Sequence, residues 1–70
     1  MTVTFRLMRA SGQQGPQTQF ELDGHDAHPR KLKIWARQWA TGQFNCDESD
    51  LVTVSYKDIE GKDVGLEVTL

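Results

Sequence analysis

The chain predicts an α+β fold in the order ββαββ, with one helix packed across one face of a mainly antiparallel four-stranded sheet. Three observations predict it. Four short segments alternate apolar with polar residues at the period of a half-buried strand. One longer stretch repeats apolar residues at helical spacing, and clusters of Gly, Pro and Asp punctuate the gaps. Seventy residues without an internal repeat or a linker read as one domain. A domain of that size buries only about 60% of the surface its unfolded chain exposes, so its stability is expected to be modest.

Thr2 to Arg9 forms the first strand, with Val3, Phe5 and Leu7 on one face and Thr4, Arg6 and Met8 on the other. Ser11 to Gln17 carries Gly12, Gly15 and Pro16 without an apolar anchor and reads as a mobile hairpin loop. Thr18 to Leu22 returns as a short second strand with Phe20 and Leu22 inward. Asp23 to Pro29 is a turn into a helix, with Pro29 in the first helical turn, where its missing N–H costs nothing, and Asp26 or His28 as cap. Leu32, Trp35, Ala36, Trp39 and Ala40 then form an amphipathic stripe, and Gly42 stands where a C-terminal cap belongs, so the helix is predicted from Pro29 to Thr41. Both Trp are expected to pack against Phe5 and the inward valines. Gln43 to Asp50 is a polar connection. Leu51 to Tyr56 and Asp63 to Thr69 complete the sheet, joined by a turn at Asp58 to Lys62.

Charge is segregated along this framework. Between His28 and Gly42 stand Arg30, Lys31, Lys33 and Arg37 with no acid among them, whereas residues 47 to 70 hold seven Asp or Glu against two Lys. Arg30, Lys31 and Lys33 occupy the first two helical turns, where the macrodipole disfavours a cation by about 0.3 to 1 kcal/mol at an exposed site. At about 100° per residue, Arg30, Lys33 and Arg37 lie opposite the Trp stripe with Ile34 among them. An exposed apolar residue rimmed by cations has the composition of a contact patch. The alternative is a solvated polar face whose charges are answered by Asp23 and Asp26. For a functional patch the leading partner is an acidic protein surface. Nucleic acid ranks behind it, because the net charge is −2 and the Trp residues that would stack bases fall on the core face. Asp58, Glu60 and Asp63 offer a second, acidic surface on the last hairpin.

Other chemistries find little footing. Asp47, Glu48 and Asp50 lack the ligand spacing and central Gly of a calcium loop. His25, His28 and Cys46 fall short of the four tightly paired ligands of structural zinc. Cys46 with either His gives a nucleophile and a base but no orienting third group, and Gly12 and Gly15 lack the strand-to-helix setting of a phosphate loop. The sequence is therefore read as non-enzymatic, with no metal and no cofactor. Its single Cys, Cys46, cannot form an internal disulfide, and its alternating N-terminus has neither the basic start nor the apolar run of a signal peptide. No stretch approaches a membrane span. A soluble, cytoplasmic protein without membrane association is the expectation.

The stretch Val54-Ser55-Tyr56-Lys57-Asp58-Ile59-Glu60-Gly61-Lys62-Asp63-Val64 resembles the acidic hairpin of PB1 domains, in which a Tyr-containing strand runs into Asp-x-Glu/Asp-Gly and an apolar strand. Those domains are ubiquitin-like β-grasp folds that pair an acidic hairpin with a basic patch on a second domain. The resemblance implies a self-associating adaptor in which the acids Asp58, Glu60 and Asp63 meet a basic patch on the next copy; Arg6 is what the first strand offers where PB1 domains carry a Lys. In layout alone, the chain is similar to small accessory proteins of phages and mobile elements, including anti-CRISPR inhibitors. That likeness implies a protein that inhibits or adapts a host complex.

Overall fold

A computed structural model describes residues 1–26 and 28–70; Ala27, in the predicted turn before the helix, lies outside them. The elements are β1 (Thr2–Met8), β2 (Gln14–Glu21), a single 3-10 turn at Gly24–Asp26, α1 (Pro29–Gln43), β3 (Leu51–Lys57) and β4 (Asp63–Thr69). The four strands form one sheet in the order β2-β1-β3-β4, antiparallel at every pairing. The ββαββ architecture predicted from the periodicity is thus the observed one.

Register explains which side chains are buried. Val3 faces Phe20 and Tyr56, Phe5 faces Thr18 and Val54, and Leu7 faces Val52. On β4, Val64, Leu66 and Val68 pair with Tyr56, Val54 and Val52. All of these share the face covered by α1, whose Leu32, Ala36 and Ala40 have no exposed surface. Fully burying a side chain such as Leu32 contributes about 1.5 to 3 kcal/mol. Trp35 and Trp39 are half-buried at the margin rather than central, because the alanines let the helix approach the sheet closely. Trp39 stacks at 5.8 Å from Phe5 and edge-on at 5.2 Å from Phe44, and Phe5 meets Phe20 edge-on at 4.8 Å. This aromatic chain seals the β1–β2 side.

Both hairpins close with the same turn. Gly12 N–H donates to Arg9 O and Arg9 N–H to Gln13 O; Gly61 N–H donates to Asp58 O and Asp58 N–H to Lys62 O. Gly12 and Gly61 have φ of 89° and 82°, the left-handed region that a bulge-type turn requires at that position.

Several predicted boundaries move. The first hairpin loop is short, and Gln14 to Gln17 belong to β2 instead of a mobile loop. Pairing slips between Arg6 and Met8, which places a bulge at Gly15 and Pro16. A Cβ on Gly15 would lie 3.0 Å from Leu7 O, so the glycine permits this approach. The helix continues through Gly42 to Gln43, with Phe44 as C-cap donating its N–H to Ala40 O. His28 occupies the N-cap position with extended backbone and no side-chain capping bond, and Asp26 belongs to the preceding 3-10 turn.

Candidate docking groove

The helix lies over β3 and β4 with its aromatic flank toward β1 and β2, so its opposite flank overlooks the outer edge of β4. A groove of about 480 Å³ runs there, walled by Arg30, Lys33, Ile34, Arg37 and Gln38 of α1 and by Glu67, Val68 and Thr69 of β4. Lys31 does not line it; at about 100° around the helix from Arg30 it points along another flank. Ile34 is 52% exposed in the groove wall.

Among the described residues, the ion pairs are the Met1 amino group with Glu21 at 3.5 Å, Arg9 with Asp50 at 3.1 Å and Lys62 with Glu60 at 3.8 Å. None involves a helix cation. The carboxylates of Asp23 and Asp26 therefore leave Arg30, Lys33 and Arg37 unanswered, and the only hydrogen bond from their side chains to a described residue runs from Arg37 Nη2 to Thr69 O at 2.9 Å. A groove with this lining can accept carboxylate or phosphate oxygens by charge-assisted hydrogen bonds while offering Ile34 as an apolar foothold.

That Arg37 bond also reports the polarity of the sheet edge. Asp58 and Lys62 bond to each other at the turn. Antiparallel alternation from there points the backbone groups of Val64, Leu66 and Val68 at β3 and those of Asp63, Gly65, Glu67 and Thr69 outward.

The acidic hairpin is built differently. Asp58 is half-buried, and its Oδ1 accepts the N–H groups of Glu60 and Lys62 at 2.9 Å each, an Asx-type brace of the turn. Glu60 faces Lys62. Asp63 projects from the sheet face away from the helix, and Ile59 stands 92% exposed at the tip. Helix groove and acidic turn thus occupy opposite ends of β4. Within this acidic set, two of the carboxylates already have partners inside the hairpin.

Asp50 is the residue whose role the sequence concealed. It is 5% exposed and accepts Ala10 N–H at 2.9 Å on one oxygen, and Asp47 N–H at 3.0 Å and Arg9 Nη1 at 3.1 Å on the other. The Asp47 and Ala10 amides, with a smaller contribution from the Arg9 guanidinium, hold its carboxyl below the ordinary value of 3.8 against the opposing effect of desolvation. Arg9 also reaches Asn45 O at 2.8 Å, so the pair pins the loop after α1 to the first hairpin turn. The exposed Glu21 carboxyl is lowered too, chiefly by the Thr2 hydroxyl.

Protein-family models, curated proteins and solved structures give no match to this chain. No three His, Cys, Asp or Glu side chains among the described residues are placed to hold a metal ion. Cys46, half-buried, donates its thiol to Ala40 O at 3.4 Å. No helix among the described residues is long and apolar enough to cross a membrane.

Proposed function

We propose that the protein is a non-enzymatic protein-binding module whose docking surface is the groove between α1 and the β4 edge. The observation that carries this reading is the exposed Ile34 set among Arg30, Lys33 and Arg37, with no described carboxylate paired to any of them. The partner is a protein with an acidic surface, met in the cytoplasm. Small size, net acidity and the want of an assembled catalytic constellation among the described residues favour the role of a phage or mobile-element accessory protein that inhibits or adapts a larger host complex. Nucleic acid, the competing partner for the same cations, is disfavoured by a net charge of −2 and by the packing of Phe5, Trp39 and Phe44 against one another.

A second reading, self-association in the manner of PB1 domains, draws on the basic groove and the acidic turn at opposite ends of β4. The prior engagement of Asp58 and Glu60 within their own hairpin places it behind the first.

A peptide-display selection with the wild type and with Arg30→Glu plus Arg37→Glu tests the proposal. The wild type is expected to enrich acidic sequences and the variant to lose them. Enrichment of no acidic peptide, together with nucleic-acid binding whose affinity falls steeply with salt, would replace protein binding with the nucleic-acid reading.

A further inference from the structure

The two edges of the sheet are protected unequally. On β2, the bulge at Gly15 and the missing N–H of Pro16 interrupt the row of outward backbone groups, which are common devices against strand addition. On β4, seven residues run in unbroken register from Asp63 to Thr69, with neither Pro nor bulge. Of its outward groups at Asp63, Gly65 and Glu67, those of Glu67 lie beside the basic flank of α1, and Thr69 O is already held by Arg37. No described strand lies beyond β4, so the middle of this edge, at Gly65, is open.

We propose that β4 receives an extended acidic peptide segment of the partner as a fifth strand, its backbone bonding to the outward groups of Asp63, Gly65 and Glu67. The inference rests on the protein-binding reading and specifies the form of the ligand. Side chains of an added strand fall on the same face as the residues they oppose. Positions opposite Val64, Leu66 and Val68 turn to the helix-covered face, and at the Val68 end carboxylates meet Arg30, Lys33 and Arg37 and an apolar side chain meets Ile34. Positions opposite Asp63 and Glu67 turn to the open face beside those acids and favour neutral or basic residues. The recognised pattern is therefore acid or apolar alternating with neutral or basic.

A second copy of this chain is the competing occupant: antiparallel pairing of β4 with itself centred on Gly65 sets the Glu67–Thr69 end of one copy against the Asp63 end of the other. The prior engagement of Asp58 and Glu60 within their own hairpin places it behind an acidic peptide.

The probe is a synthetic peptide of about ten residues, a usual strand length, alternating Glu with Thr and carrying one Val at a Glu position, beside its counterpart with Lys for Glu. Gly65→Pro removes one outward N–H while leaving the bonds to β3 and the helix cations in place. We expect the acidic peptide to bind the wild type and to protect the Gly65 and Glu67 amides from hydrogen exchange. Gly65→Pro should weaken it about tenfold, the effect of a lost backbone hydrogen bond, and the Lys peptide should bind at least about tenfold more weakly. Protection of those two amides in the wild type carries the test even if Gly65→Pro fails to fold. Binding that Arg30→Glu plus Arg37→Glu abolishes, but that leaves both amides unprotected, overturns strand addition and keeps the groove. Failure of the acidic peptide to bind at all overturns both ideas, as does preference for single-stranded nucleic acid. A dimer that buries the β4 amides in the free protein overturns the acidic-strand assignment in favour of self-pairing.

Discussion

Replacing Arg30 by glutamate should make the protein more stable while removing its binding. Arg30 follows Pro29 at the start of α1, is exposed, and has no ion-pair partner among the described residues. A cation there opposes the helix dipole by about 0.3 to 1 kcal/mol, and an anion gains a similar amount. A glutamate at this position also stands three residues before Lys33, a spacing worth about 0.2 to 0.5 kcal/mol. Together the change is worth about 0.8 to 2.5 kcal/mol in favour of the folded state. For a domain of this length, each 1 kcal/mol moves Tm by about 4 to 8 °C, so the shift is readily measured by thermal unfolding. The gain should shrink toward zero in about 1 M salt, where the Debye length is about 3 Å. Loss of stability in Arg30→Glu at low salt would refute the reasoning, because it would mean that the arginine serves the fold and not a surface outside it.

Three further outcomes test the framework that positions the groove. Leu32→Ala, at a fully buried position under the helix, should cost about 2 to 5 kcal/mol in chemical denaturation; a loss under about 1 kcal/mol would mean that the helix packs elsewhere. Gly15→Ala should destabilise and disturb β1–β2 pairing, because the new methyl group would stand 3.0 Å from Leu7 O, and unchanged amide shifts for Leu7 and Gln14 would contradict that geometry. The depressed carboxyl of Asp50 means that the unfolded chain binds the extra proton. Its contribution is complete above the ordinary carboxylate value of 3.8 and is lost as pH falls through the lower folded value. Asp50→Asn should therefore lower stability at neutral pH and flatten the acid limb of the stability profile, and an unaltered acid limb would remove Asp50 from that role.

The order of elements was legible because each strand carries its own alternation and the helix its own stripe, both properties of local sequence. Residues 14 to 17 were not, since Gln14-Gly15-Pro16-Gln17 has no alternation and is held extended by its neighbour β1. The exposed placement of Ile34 followed from helical spacing alone, as did the shared flank of Arg30, Lys33 and Arg37. The other wall of the groove did not. It depends on β4 standing at the sheet edge, and strand order is decided by pairings between distant segments. The Arg9–Asp50 link joins residues 41 positions apart, and Asp50 in sequence looks like one more member of an acidic loop.

The placement of the helix gives the edge its selectivity. An unguarded strand invites any extended chain, including another copy of itself, and proteins ordinarily blunt such an edge with Pro, a bulge or charge. Here β2 carries the first two devices, while β4 carries Asp63 and Glu67 on its open face and the cations of α1 over the other, outside the row of its backbone groups. Cations so placed attract an acidic strand and repel a basic one, so one set of residues both favours the partner and disfavours its opposite. The position of Arg30 and Lys33 in the first two helical turns, where they cost stability, fits that purpose, and neither has a hydrogen bond or ion pair among the described residues, whereas Arg37 ties the helix to Thr69 O. Removing all three charges should accordingly turn a selective edge into a promiscuous one. The triple change Arg30→Gln, Lys33→Gln, Arg37→Gln is expected to fold and to lose preference for acidic over basic peptides in a binding titration. A triple variant that still prefers the acidic peptide would show that the selectivity resides elsewhere.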